Sequence, residues 1–524
     1  MVLSFRIRKL LPCPCIQNRL LLNKLKNYWI AYPLGCILIL GLLFRLIAAF
    51  FSKGFGMIDD HFLIIEQAQS WVDHENINDW LPQLSKKATP PGFSFFYTGL
   101  HYLLFSLLQK IGIYNPQTKM FVVRILHAFY SLLTVYFGYR ITEKLTNVRY
   151  AKQVGLLLAL FWIWPFLSVR NLIEVVCIPM LMWATWLSVK NEKGNFRHYI
   201  WVGIVLGLAF NVRFQTLFFS AGFIFALLFQ KRLKQAVAVS LGILLCAAVI
   251  QGGIDFYIWH MPFVEFKGYI QYNLQHATDF INLPWYTYLL LFAGILIPPI
   301  SLFMLYGFFV SYKKYLLLFL PSFLFLLFHS YFPNKQERFI LPILPFVMML
   351  GIIGWNEFIE RKRFDIKYKR SLKNTWRFFW VLNAVLLVVI SFTYSKRNRV
   401  EAMRYLSMKG DVQNLIVENS NNSEGILSPR FYLQKWPFEY SVTRNTNLTL
   451  LFDSLKTLQD TIRPNYVIFY ETINLQKRVD GIGRFFDLKY DTVIYPGFID
   501  DFMYRINPVN DNAVTYIYKI TGKK

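Results

Sequence analysis

A 524-residue chain that is 55% hydrophobic and 18% aromatic, with 51 phenylalanines, is not a soluble globular protein; soluble domains do not carry repeated apolar runs of about twenty residues. The formal charge of +26 suits a nucleic-acid binder, but the Lys and Arg residues gather in short segments between the apolar runs. That is how a protein orients itself in a bilayer, and no basic groove for a duplex is in view.

In chain order, residues 1–28 form a basic cytoplasmic N-terminus, with Arg6, Arg8, Lys9, Arg19, Lys24 and Lys26. The first apolar run, 29–51, is too long for a signal-peptide core and no small-residue cleavage site follows, so a retained helix is expected. Further runs lie near 120–140, 152–168, 172–189, 199–212, 214–230, 236–258, 285–311, 315–331, 338–358 and 376–394. Basic connectors at 140–152, 190–197, 231–234, 313–314 and 361–377 are each expected inside. Together these give about eleven spans in an all-α polytopic membrane domain, 29–395, with an external loop at 52–119. Within that loop the 93–108 run follows Pro90-Pro91-Gly92 and is short for a span. It reads as a juxtamembrane or re-entrant helix, the alternative being a twelfth span that breaks the positive-inside rule. An odd count puts residues 396–524 on the same side as the loop.

Those residues change character. Short strands are expected at 415–417, 466–470, 492–495 and 514–519, and a helix at 448–462 from Leu448, Leu451, Phe452, Leu455 and Leu458. This is a small extracytoplasmic α/β domain. The five cysteines (Cys13, Cys15, Cys36, Cys177, Cys246) all precede it, so it carries no disulfide framework. Cys13 and Cys15 lack a second pair, and no zinc site is expected.

The first external loop opens Gly54-Phe-Gly-Met-Ile-Asp59-Asp60-His61-Phe62, with Glu66 seven residues after Asp59. Acids at a membrane edge need water, a partner or a task. If the run is α-helical, Asp59 and Glu66 share one face; the plainer reading is a solvated N-cap. His61 beside Asp60 suits a structural or substrate-facing role better than metal ligation. Two later external stretches carry Asp255, Tyr257 and Tyr272-Asn273, and then Asn334-Lys335-Gln336-Glu337-Arg338-Phe339. Lys335 and Arg338 either snorkel at the membrane edge or meet an anionic ligand. Arg213 also falls at an external edge, as do Arg170 and Glu174, which as near neighbours are expected to neutralise each other.

These segments resemble the polyprenyl-phosphate-sugar-dependent glycosyltransferases of the C fold. They are most similar to the dolichyl-phosphate-mannose α-mannosyltransferase branch acting in N-glycan and GPI-anchor assembly. That branch opens its first external loop with His-Pro-Asp-Glu and a further Glu six residues on; Asp59, Asp60 and Glu66 match these, without the His-Pro. Its Asp…Tyr…Tyr-Asn pattern matches Asp255, Tyr257, Tyr272 and Asn273. Its His-Lys-Glu-x-Arg-Phe signature followed by prolines matches 334–339 with Pro342 and Pro345, Asn334 standing for His and Gln336 for Glu. The likeness covers roughly residues 30–395.

The resemblance implies a membrane glycosyltransferase moving a sugar, mannose in that branch, from a polyprenyl-phosphate donor to a glycan or lipid-linked acceptor. It implies one inverting displacement with Asp59 as base and Asp60 as its rival. Glu66, His61, Arg213, Asp255, Tyr257, Tyr272, Asn273, Lys335, Glu337 and Arg338 would contact substrate. The chemistry agrees, since such transfer needs a base for the acceptor hydroxyl and cations for the departing phosphate. No cofactor or divalent metal is indicated, and the partners are membrane lipids, donor and acceptor, with no nucleic acid. The alternative is a polytopic lipid or glycan transporter or flippase, which predicts inverted repeats and mid-helix charges. A cysteine-free external domain favours a bacterial inner membrane with a periplasmic site over the endoplasmic reticulum.

Overall fold

A computed structural model of the chain describes residues 23–24, 26–279, 281–459, 462–507 and 513–523. Up to Ser391 the extended regular elements among the described residues are helices, joined by turns and loops; helix Arg397–Lys409 and a five-stranded sheet follow. Among the described residues, six helices are long and apolar enough to cross a membrane: Pro33–Phe51, Pro116–Leu145, Ile173–Lys190, Leu233–Trp259, Glu337–Arg361 and Lys369–Ser391. Four shorter apolar helices lie among them, Phe196–Val212, Thr216–Phe229, Ile300–Val310 and Leu316–Tyr331. The 93–108 run forms helix Phe95–Lys110, capped by the Ser94 hydroxyl.

Two runs read as single helices are each broken. The 285–311 run divides into Thr287–Ile295 and Ile300–Val310, since neither Pro298 nor Pro299 can donate a backbone N–H. The 152–168 run stops at Leu160 and restarts at Trp164. Carbonyls freed at that break are taken up inside the protein. Arg45 donates to Leu158 O at 3.2 Å and Ala159 O at 3.1 Å, and Asn383 Nδ2 donates to Leu160 O at 2.8 Å. In a water-free layer a helix break persists only with such substitutes.

The bundle is drawn together at small residues. A Cβ on Gly203 would sit 2.2 Å from Val239 O, and one on Gly307 would sit 2.0 Å from Gly351 O. Glycine alone allows those helix backbones to touch, and among lipid tails close backbone packing is a main source of helix association.

The sheet contains β1 (Asn414–Asn419), β2 (Glu439–Thr443), β3 (Pro464–Tyr470), β4 (Phe486–Ile494) and β5 (Thr515–Lys523) in the order β2-β1-β3-β5-β4. β1 pairs parallel with β2 and β3, while β5 pairs antiparallel with β3 and β4. Central β3 is buried from Tyr466 to Tyr470, as a strand covered on both faces must be. The strands read at 415–417, 466–470 and 514–519 fall on β1, β3 and β5. The one read at 492–495 is the tail of a longer β4. β2 escaped the reading because it is a short edge strand with little apolar alternation, and the helix read at 448–462 is the shorter Leu448–Lys456.

The sheet region is fastened to the loop that follows helix Pro33–Phe51. Ser395 N donates to Lys53 O at 3.1 Å, and Gly54, at φ +78°, lies so close that a Cβ would meet Ser395 O at 1.8 Å. A short turn, Arg430–Leu433, carries Phe431 and Tyr432 onto the segment that follows Asp59.

Candidate active site

Asp59 precedes a π-helical turn, Asp60–Glu66, that runs on into helix Gln67–Val72. The i→i+5 winding advances fewer degrees per residue than an α-helix. Asp59 and Glu66 therefore do not share a face, contrary to the α-helical expectation. The Asp59 side chain is 54% exposed, whereas Glu66 is sealed at 1%.

Arg338 gathers the acids. It reaches in from the start of the 3₁₀ segment Glu337–Ile343, pairing through Nη2 with Asp59 and through Nη1 with Asp60 at 3.2 Å. Its Nε donates to Gln336 Oε1 at 2.8 Å and lies 3.5 Å from Glu174 Oε1. Arg213, in extended backbone just past helix Phe196–Val212, donates to the same Glu174 oxygen at 2.7 Å. Both guanidiniums also lie over the Phe339 ring, at 5.4 and 5.7 Å. Three carboxylates thus face two guanidiniums. Burial first, then the Glu174 charge, push the Asp60 carboxyl upward from its usual range against the pull of Arg338. Arg213 Nε and Nη2 and Glu174 Oε2 find no hydrogen-bond partner among the described residues.

Arg170 and Glu174 do not neutralise each other. Arg170 instead donates to Gly54 O at 3.3 Å, Ser52 Oγ at 3.0 Å and Ser395 Oγ at 2.9 Å, clamping the start of the loop to the sheet region. Glu174, which the sequence reading assigned to Arg170, joins the cluster through Arg213 and Arg338. Its signal was an acid at the head of an apolar run.

The other expected contacts are distributed elsewhere. His61 lies between the Phe55 and Tyr432 rings, at 4.5 and 5.6 Å, and Glu66 Oε1 accepts from Phe431 N at 3.0 Å. Both residues join the loop to the sheet region. Lys335 is buried and donates to Phe332 O at 2.6 Å, with burial holding its ammonium below the ordinary lysine range. Glu337 is exposed. Asp255 belongs to a separate buried group: Gln251 Nε2 bridges Asp255 Oδ1 at 2.8 Å and Glu265 Oε2 at 2.7 Å, and Glu265 also accepts from Phe95 N at 3.0 Å. That group locks the 251–265 segment to the head of helix Phe95–Lys110. Tyr257 is 81% and Tyr272 48% exposed, and Asn273 donates to Tyr269 O at 2.8 Å. Among the described residues, no hydrogen bond or ion pair links these four to the Asp59–Arg338 cluster.

The chain is thus a helical bundle with several candidate membrane helices and a small sheet domain, with an acid–guanidinium cluster beside the loop that fastens the two. The chain spans 93% of its length against the ArnT of Cupriavidus metallidurans bound to undecaprenyl phosphate, and 98% of that chain, at 9% identity and a TM-score of 0.59. Against the apo oligosaccharyltransferase of Archaeoglobus fulgidus the figures are 90%, 74%, 10% and 0.53. At such identities the likeness is one of fold. No curated protein matches the sequence. The Alg9-like mannosyltransferase family model matches residues 36–427, and the chain belongs to that family.

Proposed function

We propose that the protein transfers mannose from a polyprenyl-phosphate donor to a glycan or lipid-linked acceptor in one inverting displacement. The observation that carries this is Arg338, which holds Asp59, Asp60 and Glu174 in a single cluster. A base and a phosphate-binding cation are thereby side by side. Asp59, the more exposed of these carboxylates, takes the proton of the acceptor hydroxyl. The hydroxyl oxygen attacks the anomeric carbon, the bond from that carbon to the phosphate oxygen breaks, and the electron pair leaves with the phosphate. Arg338 and the unpartnered Nε and Nη2 of Arg213 receive that charge, with Lys335 nearby in sequence. A phosphate drawn onto Arg338 relieves Asp59 of its cation, so the base strengthens as the donor docks.

The same reading takes the chain as eleven spans, with helix Phe95–Lys110 alongside the membrane and the site at the periplasmic face of a bacterial inner membrane. The test is transfer by purified protein from synthetic polyprenyl-phosphate mannose to a mannosyl acceptor. A new mannoside of inverted anomeric configuration, with release of polyprenyl phosphate, is expected; retention of configuration or no transfer contradicts it.

A further inference from the structure

A second cleft lies along the helical run that begins at Asp60, at the seam with the sheet region. It encloses about 130 Å³ and is lined by Gln69, Asp73, Gln109, Tyr114, Lys119 and Trp436, among others. Its wall is built and held. Lys119 is buried, donating to Gln69 Oε1 at 2.8 Å and Gln109 Oε1 at 3.2 Å. Asp73 accepts from Gln69 Nε2 at 2.9 Å and from Trp436 Nε1 at 3.0 Å. Tyr114 is 60% exposed, and Trp436 is half-buried with the Arg430 guanidinium 5.9 Å from its ring.

We propose that this cleft binds one neutral hexose unit of a glycan chain. Its polar groups are amides, the Asp73 carboxylate and the Lys119 ammonium, which supply both donors and acceptors and suit a ring bearing several hydroxyls. Trp and Tyr add flat amphipathic surface for the C–H face of such a ring. A hexose is larger than the benzene ring that a closed cavity of roughly 150 Å³ holds, so it would seat one face between half-buried Trp436 and exposed Tyr114 and keep the other in water. The charge also fits, because the Asp73 carboxylate offsets the Lys119 ammonium beside it and disfavours an anion.

Position makes the inference sharper. Gln69 and Asp73 follow Asp60 along one helical run that opens with the more tightly stacked π-turn, so the cleft lies up to about 13–20 Å from Asp60, the lengths an α-helix would span at 1.5 Å per residue. One sugar cannot reach both places, and the acceptor that uses both is an oligosaccharide. That last step rests on the transferase reading; the binding itself does not.

The experiment uses the full chain in detergent without donor, titrated with neutral linear trisaccharides of mannose, glucose and galactose and followed by saturation-transfer NMR. At least one trisaccharide should bind. Trp436→Ala should weaken it by roughly tenfold, the scale of a lost aromatic contact. Tyr114→Ala, at an exposed side chain that the fold does not need, should weaken it severalfold with an unchanged melting temperature. No binding by wild type, or equal binding by wild type and both variants, overturns the cleft. Trisaccharide binding by a wild-type protein that fails to transfer mannose supports the cleft and refutes the transferase reading alone.

Discussion

The two ends of the turn Asp60–Glu66 carry the same functional group into opposite company. At one end Asp59 and Asp60 face Arg338, and Nε and Nη2 of nearby Arg213 have no hydrogen-bond partner among the described residues. At the other, Glu66 is closed off, accepting a backbone N–H from Phe431 beside the His61–Tyr432 stack. The first arrangement is the one the proposed donor phosphate would meet; the second uses its carboxylate to hold the loop to the sheet region. A carboxylate in this loop is therefore read by its partners and its access to water, and its place in a motif is not enough.

Removing Arg338 should break that contrast most severely. Arg338→Ala leaves Asp60 and Glu174 without their shared cation and should cost about 3–5 kcal/mol of stability, as breaking a buried ion pair does. Loss of donor binding should accompany it, followed with a fluorescent polyprenyl phosphate alongside thermal unfolding. Unchanged stability and donor affinity would make Arg338 an ordinary membrane-edge cation.

At the docking end, Glu66→Ala strands the Phe431 N–H and should cost about 1–3 kcal/mol. Turnover should fall far less than for a change at Asp59, and Glu66→Gln, which keeps an acceptor, should restore most of the loss. A Glu66→Gln variant as inactive as one altered at Asp59 would move Glu66 into the chemistry.

A smaller effect sharpens the contrast by pH. Glu439, on the β2 edge, is pushed up to about 7 by burial and by the Glu66 charge, against Arg430. Its folded-state pKa exceeds the unfolded value, so the stability it contributes is complete below about 4.5 and is lost as pH rises through about 7. Melting temperature should decline across that window, and Glu439→Gln should flatten the decline. An equal slope in the variant would exclude Glu439 as its source.

Much of this was legible in the sequence because it is local. The apolar runs, the acid pair at Asp59 and Asp60, and the cations of 335–338 are visible as composition in short windows. What stayed hidden depends on partners far along the chain. Arg170 and Glu174 are four residues apart yet turn to Ser395 and to Arg213 and Arg338. A π-turn leaves no residue signature, and its winding is what separates Glu66 from Asp59. The Arg430–Leu433 turn reads as featureless loop until its fold places Phe431 on Glu66.

The central claim is that Asp59 is the base, and one comparison tests it most directly: turnover of Asp59→Asn against Asp60→Asn, with donor binding measured separately. Asparagine keeps the shape and most of the hydrogen bonding but takes no proton. Asp59→Asn should lower turnover by about 10²–10⁴-fold with donor binding largely kept, the usual contribution of a positioned base. Asp60→Asn, at a carboxyl that burial already drives toward its protonated form, should cost less. Near-normal turnover in Asp59→Asn would contradict the account.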